Sequence, residues 1–382
     1  MSALTLGGLA LSCAACGGFA SNSSSGDDDG TYLIGYMAPL TGSEVEPASA
    51  VLNAAKLRLK EMGTSASVKF KLEVVDDACD AKTAANAANK LVSMGADAVI
   101  AGWCSDPAQV AEPIFDRAGI PFVLAAPTSS KLVNAGFDNV VQSVGNASNE
   151  GDSIVYAVNE MLDIERLAVV DDQSGFSTDL ADAARDALDA AGTPAATSES
   201  VPATTSDFSA LLDTLSKDKV DGVLWTGYYA QGASLLKQAR TRGFDGEFLF
   251  GDSNVTPAFI EAAPDVSDGV LAVSPPSTEI FKTAEGFTSA YQDEYGEAPS
   301  GASVLGYDAV TVLIDAVNAA SDRSPKAVIA ALRATDTTGA TGPIAFDDKG
   351  ARKVAVFPIV RVVDGQWKLA DEQPPSIAQY IR

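Results

Sequence analysis

With 51 acidic against 26 basic side chains in 382 residues, the chain carries a net charge of −25. That excludes nucleic acid as a partner, because phosphate contact needs concentrated Lys and Arg. Histidine is absent, so Ser–His and Cys–His nucleophile pairs and His-ligated zinc or haem fall away, together with the commonest general base.

Leu4 to Leu11 is an apolar run too short to span a bilayer, and it ends in Ser12-Cys13-Ala14-Ala15-Cys16-Gly17-Gly18. Small residues before a cysteine and glycines after it resemble a bacterial lipoprotein signal. Cys16 is the expected lipidation site, with Cys13 as its rival. No Lys or Arg precedes Lys56, so a basic leader region is missing and either the start lies upstream or the chain is trimmed. Ser21 to Gly30 reads as a flexible polar tether. Residues 1–30 are therefore expected to be signal and tether, giving an extracytoplasmic protein anchored to the membrane by lipid. The alternative is a disordered tail behind a chance apolar run.

A strand is predicted at Thr31 to Met37 and a helix at Pro47 to Met62, closed by Gly63. Strand Val68 to Val75 leads into Asp76-Asp77-Ala78-Cys79-Asp80 and an amphipathic helix over Ala81 to Met94. Strand Ala98 to Ala101 then ends in Gly102-Trp103-Cys104-Ser105. In a strand–helix–strand unit the two strand ends lie side by side at the carboxyl edge of a parallel sheet, so Cys79 and Cys104 are placed to meet. The alternative is two separate buried thiols. Asp106 is expected to cap the next helix, with Pro107 at its first helical position. Strand Ile120 to Leu124 ends in Ala125-Ala126-Pro127-Thr128-Ser129-Ser130.

The rhythm restarts with helix Ser148 to Leu162 and strand Arg166 to Val170, which ends in Asp171-Asp172-Gln173-Ser174-Gly175-Phe176. Helices Leu180 to Ala190 and Asp207 to Leu215 follow. Strand Val220 to Trp225 ends in Thr226-Gly227-Tyr228-Tyr229, and helix Gly232 to Arg240 leads to strand Phe248 to Phe250, which ends in Gly251-Asp252-Ser253-Asn254. After Val270 to Ser274 come helices Ile280 to Tyr295, Ser303 to Ala319 and Pro325 to Ala334. The chain closes with β structure at Lys353 to Val363 and Trp367 to Leu369 around an Asp364-Gly365 turn. Alternating strands and helices argue for an α/β fold with parallel sheets covered on both faces. Two such series make two lobes, whose polar loops would line one cleft.

No phosphate-binding glycine motif and no nucleophile elbow occurs. Asp76-Asp77 is the pair a carboxylate-dependent hydrolase would need, but adjacent strand residues point to opposite faces, and capping suits them better. Asp27-Asp28-Asp29 lacks the spacing of a calcium loop. Four cysteines could hold zinc only if the N-terminal pair met the later one, so neither metal nor cofactor is expected. What remains suits a small zwitterion. Ser105, the Ala126 backbone and Thr128 could hold a carboxylate. Asp252, with Glu44 or Glu46, could pair with an ammonium group. Tyr228, Trp103 and Phe176 supply apolar walls or a cation–π face.

The run from Asp76 through Cys79, Cys104-Ser105 and Ile120-Pro121 to Ala126-Pro127-Thr128 resembles the leucine/isoleucine/valine-binding family. These are type I periplasmic solute-binding proteins of ABC importers. Val223 to Gly243 matches as well, through Gly227-Tyr228 and Leu236-Lys237-Gln238-Ala239-Arg240. The resemblance implies a non-enzymatic protein that binds an amino acid and hands it to a membrane permease. It places carboxylate recognition on Ser105, Ala126 and Thr128 and the cleft tyrosine on Tyr228. The later acid falls on Ser253, beside Asp252. A second acid falls on Ala147, a first-loop aromatic falls near Pro47 beside Glu46, and the second-lobe aromatic is closest to Phe176. The carboxylate end therefore looks kept and the other end rebuilt.

The resemblance also implies two doubly wound parallel-sheet lobes joined by a three-segment hinge, with crossings near Val144 to Ser148, Ser274 to Thr278 and Gly350 to Val354. Lobe 1 is expected to be residues 31–146 plus 277–352, and lobe 2 residues 147–276 plus 353–382. A ligand-sensing protein of the same fold, reporting to a receptor, is the alternative role.

Overall fold

A computed structural model describes residues 30–62, 68–278 and 280–380. Cys13, Cys16, nearly all of the tether and the Gly63 cap lie outside the described residues. The first series is β1 (Thr31–Ala38), α1 (Val45–Met62), β2 (Lys69–Asp76), α2 (Ala81–Met94), β3 (Ala98–Ala101), α3 (Ser105–Ala118), β4 (Phe122–Leu124), α4 (Ser130–Asn134) and β5 (Val140–Gln142). Its strands are parallel, in the order β2-β1-β3-β4-β5. Ala38 pairs with Asp76, Met37 with Ala101, Ala101 with Leu124 and Leu124 with Gln142, so all five end at one edge. β3 reads Ala-Val-Ile-Ala and is buried throughout, as a central strand between two helical layers must be.

The second series is α5 (Ala147–Tyr156), β6 (Leu167–Asp171), α6 (Gly175–Ala191), β7 (Thr197–Ser200), α7 (Ser209–Lys217), β8 (Gly222–Trp225), α8 (Tyr229–Thr241), β9 (Glu247–Phe250), α9 (Pro257–Ala262) and β10 (Leu271–Val273). The chain then returns to the first lobe as α10 (Glu285–Tyr295), α11 (Val304–Ala319), α12 (Pro325–Arg333) and the hairpin β11 (Asp336–Gly339) and β12 (Gly342–Ala345). α11, buried along most of its length, packs against α1. Finally β13 (Ile359–Val363), β14 (Gln366–Leu369) and the short α13 (Pro375–Ala378) go back to the second lobe. The second sheet runs β14-β13-β10-β9-β8-β6-β7. Here Val170 pairs with Trp225, Trp225 with Phe250 and Phe250 with Ala272, which again brings the carboxyl ends level. Only β13 runs against the others, antiparallel to β10 on one side and, across the Asp364-Gly365 turn, to β14 on the other.

Several elements escape the sequence pattern. β7 is Thr-Ser-Glu-Ser, with no apolar residue; pairing with β6 makes it an edge strand. The β11–β12 hairpin is held from outside, by the Asp308 carboxylate accepting from the Ala340 and Thr341 amides. Helix Ser148 to Leu162 divides into α5 and a π turn over Ala157–Met161. The predicted strand from Lys353 shortens to β13 because its first residues form the last crossing between lobes. Asp106 is not the cap of α3. The helix begins two residues earlier, at Ser105 behind an extended Cys104, and Asp106, in its first turn, reaches the other lobe.

The chain passes between the sheets after β5, after β10 and after β12. These crossings are tied to one another. Arg352, buried in the third, donates to the Ser143 carbonyl in the first at 2.9 Å and to the Thr341 and Pro343 carbonyls, each at 2.8 Å. The Ser274 amide in the second donates to the Pro358 carbonyl at 2.7 Å. Gly145 sits at φ +113, where a Cβ would lie 2.5 Å from that of Ala355, so only glycine allows the first and third crossings to touch.

Candidate functional site

Where the two sets of strand ends face each other, a cavity is lined by Trp103, Ser105, Ala126, Thr128, Phe176, Tyr228, Asp252, Ser253, Pro275 and Leu305. Of the binding residues singled out in the sequence, all but Glu44 and Glu46 are there, and Glu46 is exposed on the first turn of α1. Its neighbour Glu44 is the buried acid, accepting from the Trp103 indole N–H at 3.0 Å. The helical turn that carries both residues points Glu44 inward and Glu46 outward, a choice that needs the packing of the loop. Pro275 and Leu305 were not foreseen. Pro275 belongs to the second crossing, and Leu305 opens a helix far from any strand end.

The first lobe supplies neutral donors on a braced loop. The Cys79–Cys104 disulfide, with Cα atoms 5.5 Å apart, joins the ends of β2 and β3. Ser105 Oγ accepts from the Ser129 amide at 3.2 Å, which leaves its own proton for a solute. Gln142 Nε2 donates to the carbonyls of Pro127 and Ser129, at 2.8 and 3.1 Å, fixing the turn that carries Thr128. Asp76 and Asp77 take no part in the cavity lining. Asp76 accepts from the Leu40 and Ala78 amides and Asp77 from the Cys79 amide, so the pair shapes the loop that presents Cys79.

The second lobe supplies an aromatic wall and acids. The rings of Phe176 and Tyr228 pack with centroids 5.1 Å apart. The Tyr228 amide donates to Asp172 at 3.2 Å. Its hydroxyl lies 3.8 Å from the Cys79 sulfur and must be the donor there, since a disulfide sulfur carries no proton. Burial, reinforced by Asp106, Glu44, Asp172 and Asp252, holds the Tyr228 hydroxyl well above its ordinary pKa. Asp252 is buried, and burial pushes its carboxyl up to about 7 despite a hydrogen bond from Thr128. Burial likewise raises Glu44 to about 7. Ser253 donates to the Gly227 carbonyl at 3.0 Å, so its hydroxyl is committed to its own loop. None of the described lining residues is basic.

Carboxylates also bind the lobes to each other directly. Asp106 on α3 accepts from the Gly175 amide, the first of α6, at 3.0 Å. A side chain at Gly175 would collide with that carboxylate. In return, Asp179 on α6 accepts from the Ser130 amide at 2.6 Å and from the Ser129 hydroxyl at 3.1 Å, at the start of α4. The Tyr229 hydroxyl donates to the Ser43 carbonyl at 2.7 Å. The arrangement is a closed one: two lobes meet over a small enclosed volume, with hydrogen-bonding groups turned inward.

Two α/β lobes, three crossings and a cavity between opposed strand ends define a two-lobed fold with an interlobe cleft. Residues 31–366 match the sequence profile of the periplasmic binding protein family, and the chain belongs to it. Membership places the protein outside the cytoplasm, where a disulfide persists. The chain is similar to the leucine-, isoleucine-, valine-, threonine- and alanine-binding protein of Pseudomonas aeruginosa, at 29% identity over 89% of this chain and 91% of the relative. It is also similar to the Leu/Ile/Val-binding protein of Escherichia coli, at 27% identity over 87% and 90%. Among solved structures, a leucine binding protein from Thermotoga maritima superposes with a TM-score of 0.82 at 25% identity, covering 90% of this chain and 99% of that one.

Proposed function

We propose that this protein captures an amino acid, or a related small polar solute, between its lobes and delivers it to the permease of an ABC importer. The observation that carries the reading is the cavity itself. Neutral donors from one lobe (Ser105, the Ala126 backbone, Thr128) face an acid (Asp252) and aromatic rings (Phe176, Tyr228) from the other. Such a lining complements an α-carboxylate and an ammonium at once. The names of the relatives, amino-acid-binding proteins aligned over nearly their whole length, support it.

In this reading lobe 1 is 31–146 plus 277–352, lobe 2 is 147–276 plus 353–382, and the three crossings are the hinge. A solute that touches both lobes favours the closed state by its differential contacts. Cys16, or Cys13, carries a lipid that keeps the protein at the membrane beside its permease. Thermal-shift screening followed by calorimetry against amino acids, amides and small carboxylates tests the proposal. Binding of an amino acid that weakens in both Thr128→Ala and Tyr228→Ala, with folding intact, is the expected result. Unchanged affinity in both variants removes the site.

A further inference from the structure

Asp252 does not stand alone. Its Oδ1 is buried at the cavity wall and has no hydrogen-bond partner among the described residues. Near it, in the first turn of α5, Glu150 is 0% exposed, and neither of its carboxyl oxygens has such a partner. Glu150 belongs to the inward face of α5, with Ala147, Gly151, Ser153 and Ile154, so its burial follows from the helix phase and not from a loose side chain.

The charged groups that face Glu150 are Asp252, from the loop after β9, and Asp179, from α6. Both are acids. Lys131, 3.9 Å from Asp179, is a partly exposed partner of that carboxylate. A buried carboxylate with no cation, eased only by the nearby Asp252 backbone amide, is too costly to remain ionised, and two neighbouring ones cannot both be so. Burial first, and the Asp252 charge next, accordingly hold the Glu150 carboxyl well above the ordinary range. Two buried acids with no cationic partner, beside a cavity without a basic residue, call for a cation that arrives from outside.

We infer that Glu150 is a second carboxyl partner for the cationic group of the bound solute, acting through Asp252, and that the Glu150–Asp252 pair gives up a proton when that group enters. The carboxyl O–H bond breaks, its electron pair stays on the carboxylate, and the proton passes to solvent. The solute keeps all its own protons. This deepens the reading under "Proposed function" and rests on it. It narrows the ligand class to small solutes bearing an ammonium or similar cation, against carboxylates that lack one. Because binding releases a proton, affinity rises with pH through the range where the empty pair is protonated.

The test has two arms. Infrared difference spectra of the solute-free protein at neutral pH, wild type against Glu150→Gln, should show a protonated-carboxyl band that the variant lacks. No such band overturns the inference, whatever the protein binds. Calorimetry with L-leucine as probe, in buffers of different ionisation enthalpy, should give about one proton released per solute in the wild type. Glu150→Gln, left with Asp252 alone, should release clearly less and bind roughly tenfold more weakly. Equal proton release in both proteins overturns the inference even if leucine binds tightly. Should leucine fail to bind, the amino-acid reading is what suffers, and the infrared arm decides the role of Glu150 by itself. Gln matches Glu in shape and brings no charge, so the variant should unfold at or above the wild-type temperature.

Discussion

The two faces of the cavity solve different problems. The first lobe presents hydroxyl and backbone donors on loops fixed by a disulfide, by Gln142 and by the Asp76-Asp77 turn. Few of its cavity groups change charge between one solute and the next. The second lobe presents Asp252 and the aromatic pair, backed by Glu150 and Asp172, and burial drives Asp252 and Glu150 away from their usual protonation. Under the proposed function, one face would be a rigid receptor for an invariant group, and the other an electrostatic setting that selects what accompanies that group.

If that division holds, the largest loss of affinity should come from the second face. Asp252→Ala is expected to cost a hundredfold or more, about 3 kcal/mol, because the solute cation then enters a buried site with no adjacent acid. A drop of only a few-fold, measured by calorimetry, would move the selective charge elsewhere. The first face should be broken through its scaffold. Cys79→Ser together with Cys104→Ser should lower unfolding stability by about 3 kcal/mol in the loop-entropy account. Affinity should fall as well, since the Trp103–Ser105 loop is no longer tied to β2. Lost stability at unchanged affinity would show that the loop holds its shape without the bridge.

Both faces carry acids that respond to pH. Glu44 and Asp252 rise from 4.5 and 3.8 to about 7 on folding, through burial. The folded state therefore binds protons that the unfolded chain has released, so stability falls as pH climbs from about 4.5 toward about 7. Asp77, also raised to about 7, adds to the same slope from the first lobe. Asp252→Asn should flatten the denaturation midpoint across that window more than Ser105→Ala does. An equal slope in both would mean that the raised acids do not titrate there.

Most of the fold was legible because strand and helix periods alternate cleanly and each strand run ends in a polar, glycine-bearing loop. Ser105, Thr128, Tyr228 and Asp252 follow from that rule alone, as residues at strand tips. Leu305 and Pro275 do not, since they come from segments that join the site only after the chain has crossed between lobes. Glu150 is harder still. In sequence it is one more acid in a chain with 51 of them, and only helix phase and packing reveal that it has no solvent. Glu46 fails for the converse reason. It stands two residues from the buried acid, and local pattern cannot choose between them. β7 was invisible because its partner strand, and not its own residues, makes it a strand.

The smallest effect should come from contacts that never touch the solute. Asp106 and Asp179 each place a carboxylate at the start of a helix in the opposite lobe, where unpaired amides and the helix dipole favour an anion. These bonds exist only when the lobes are shut, so they add to closure whatever solute lies inside. Asp106→Ala should therefore shift the solute-free population toward open forms, visible as a larger radius of gyration in X-ray scattering. It should weaken binding only about threefold, roughly 0.7 kcal/mol, because an exposed alternative partner for the amide is water. Because both contacts close on the same half of α6, Asp106→Ala and Asp179→Ala should be less than additive. Once either grip is gone, the other holds a lobe that is already ajar. Strict additivity would instead mean two independent contacts, and a closed state set by the solute alone.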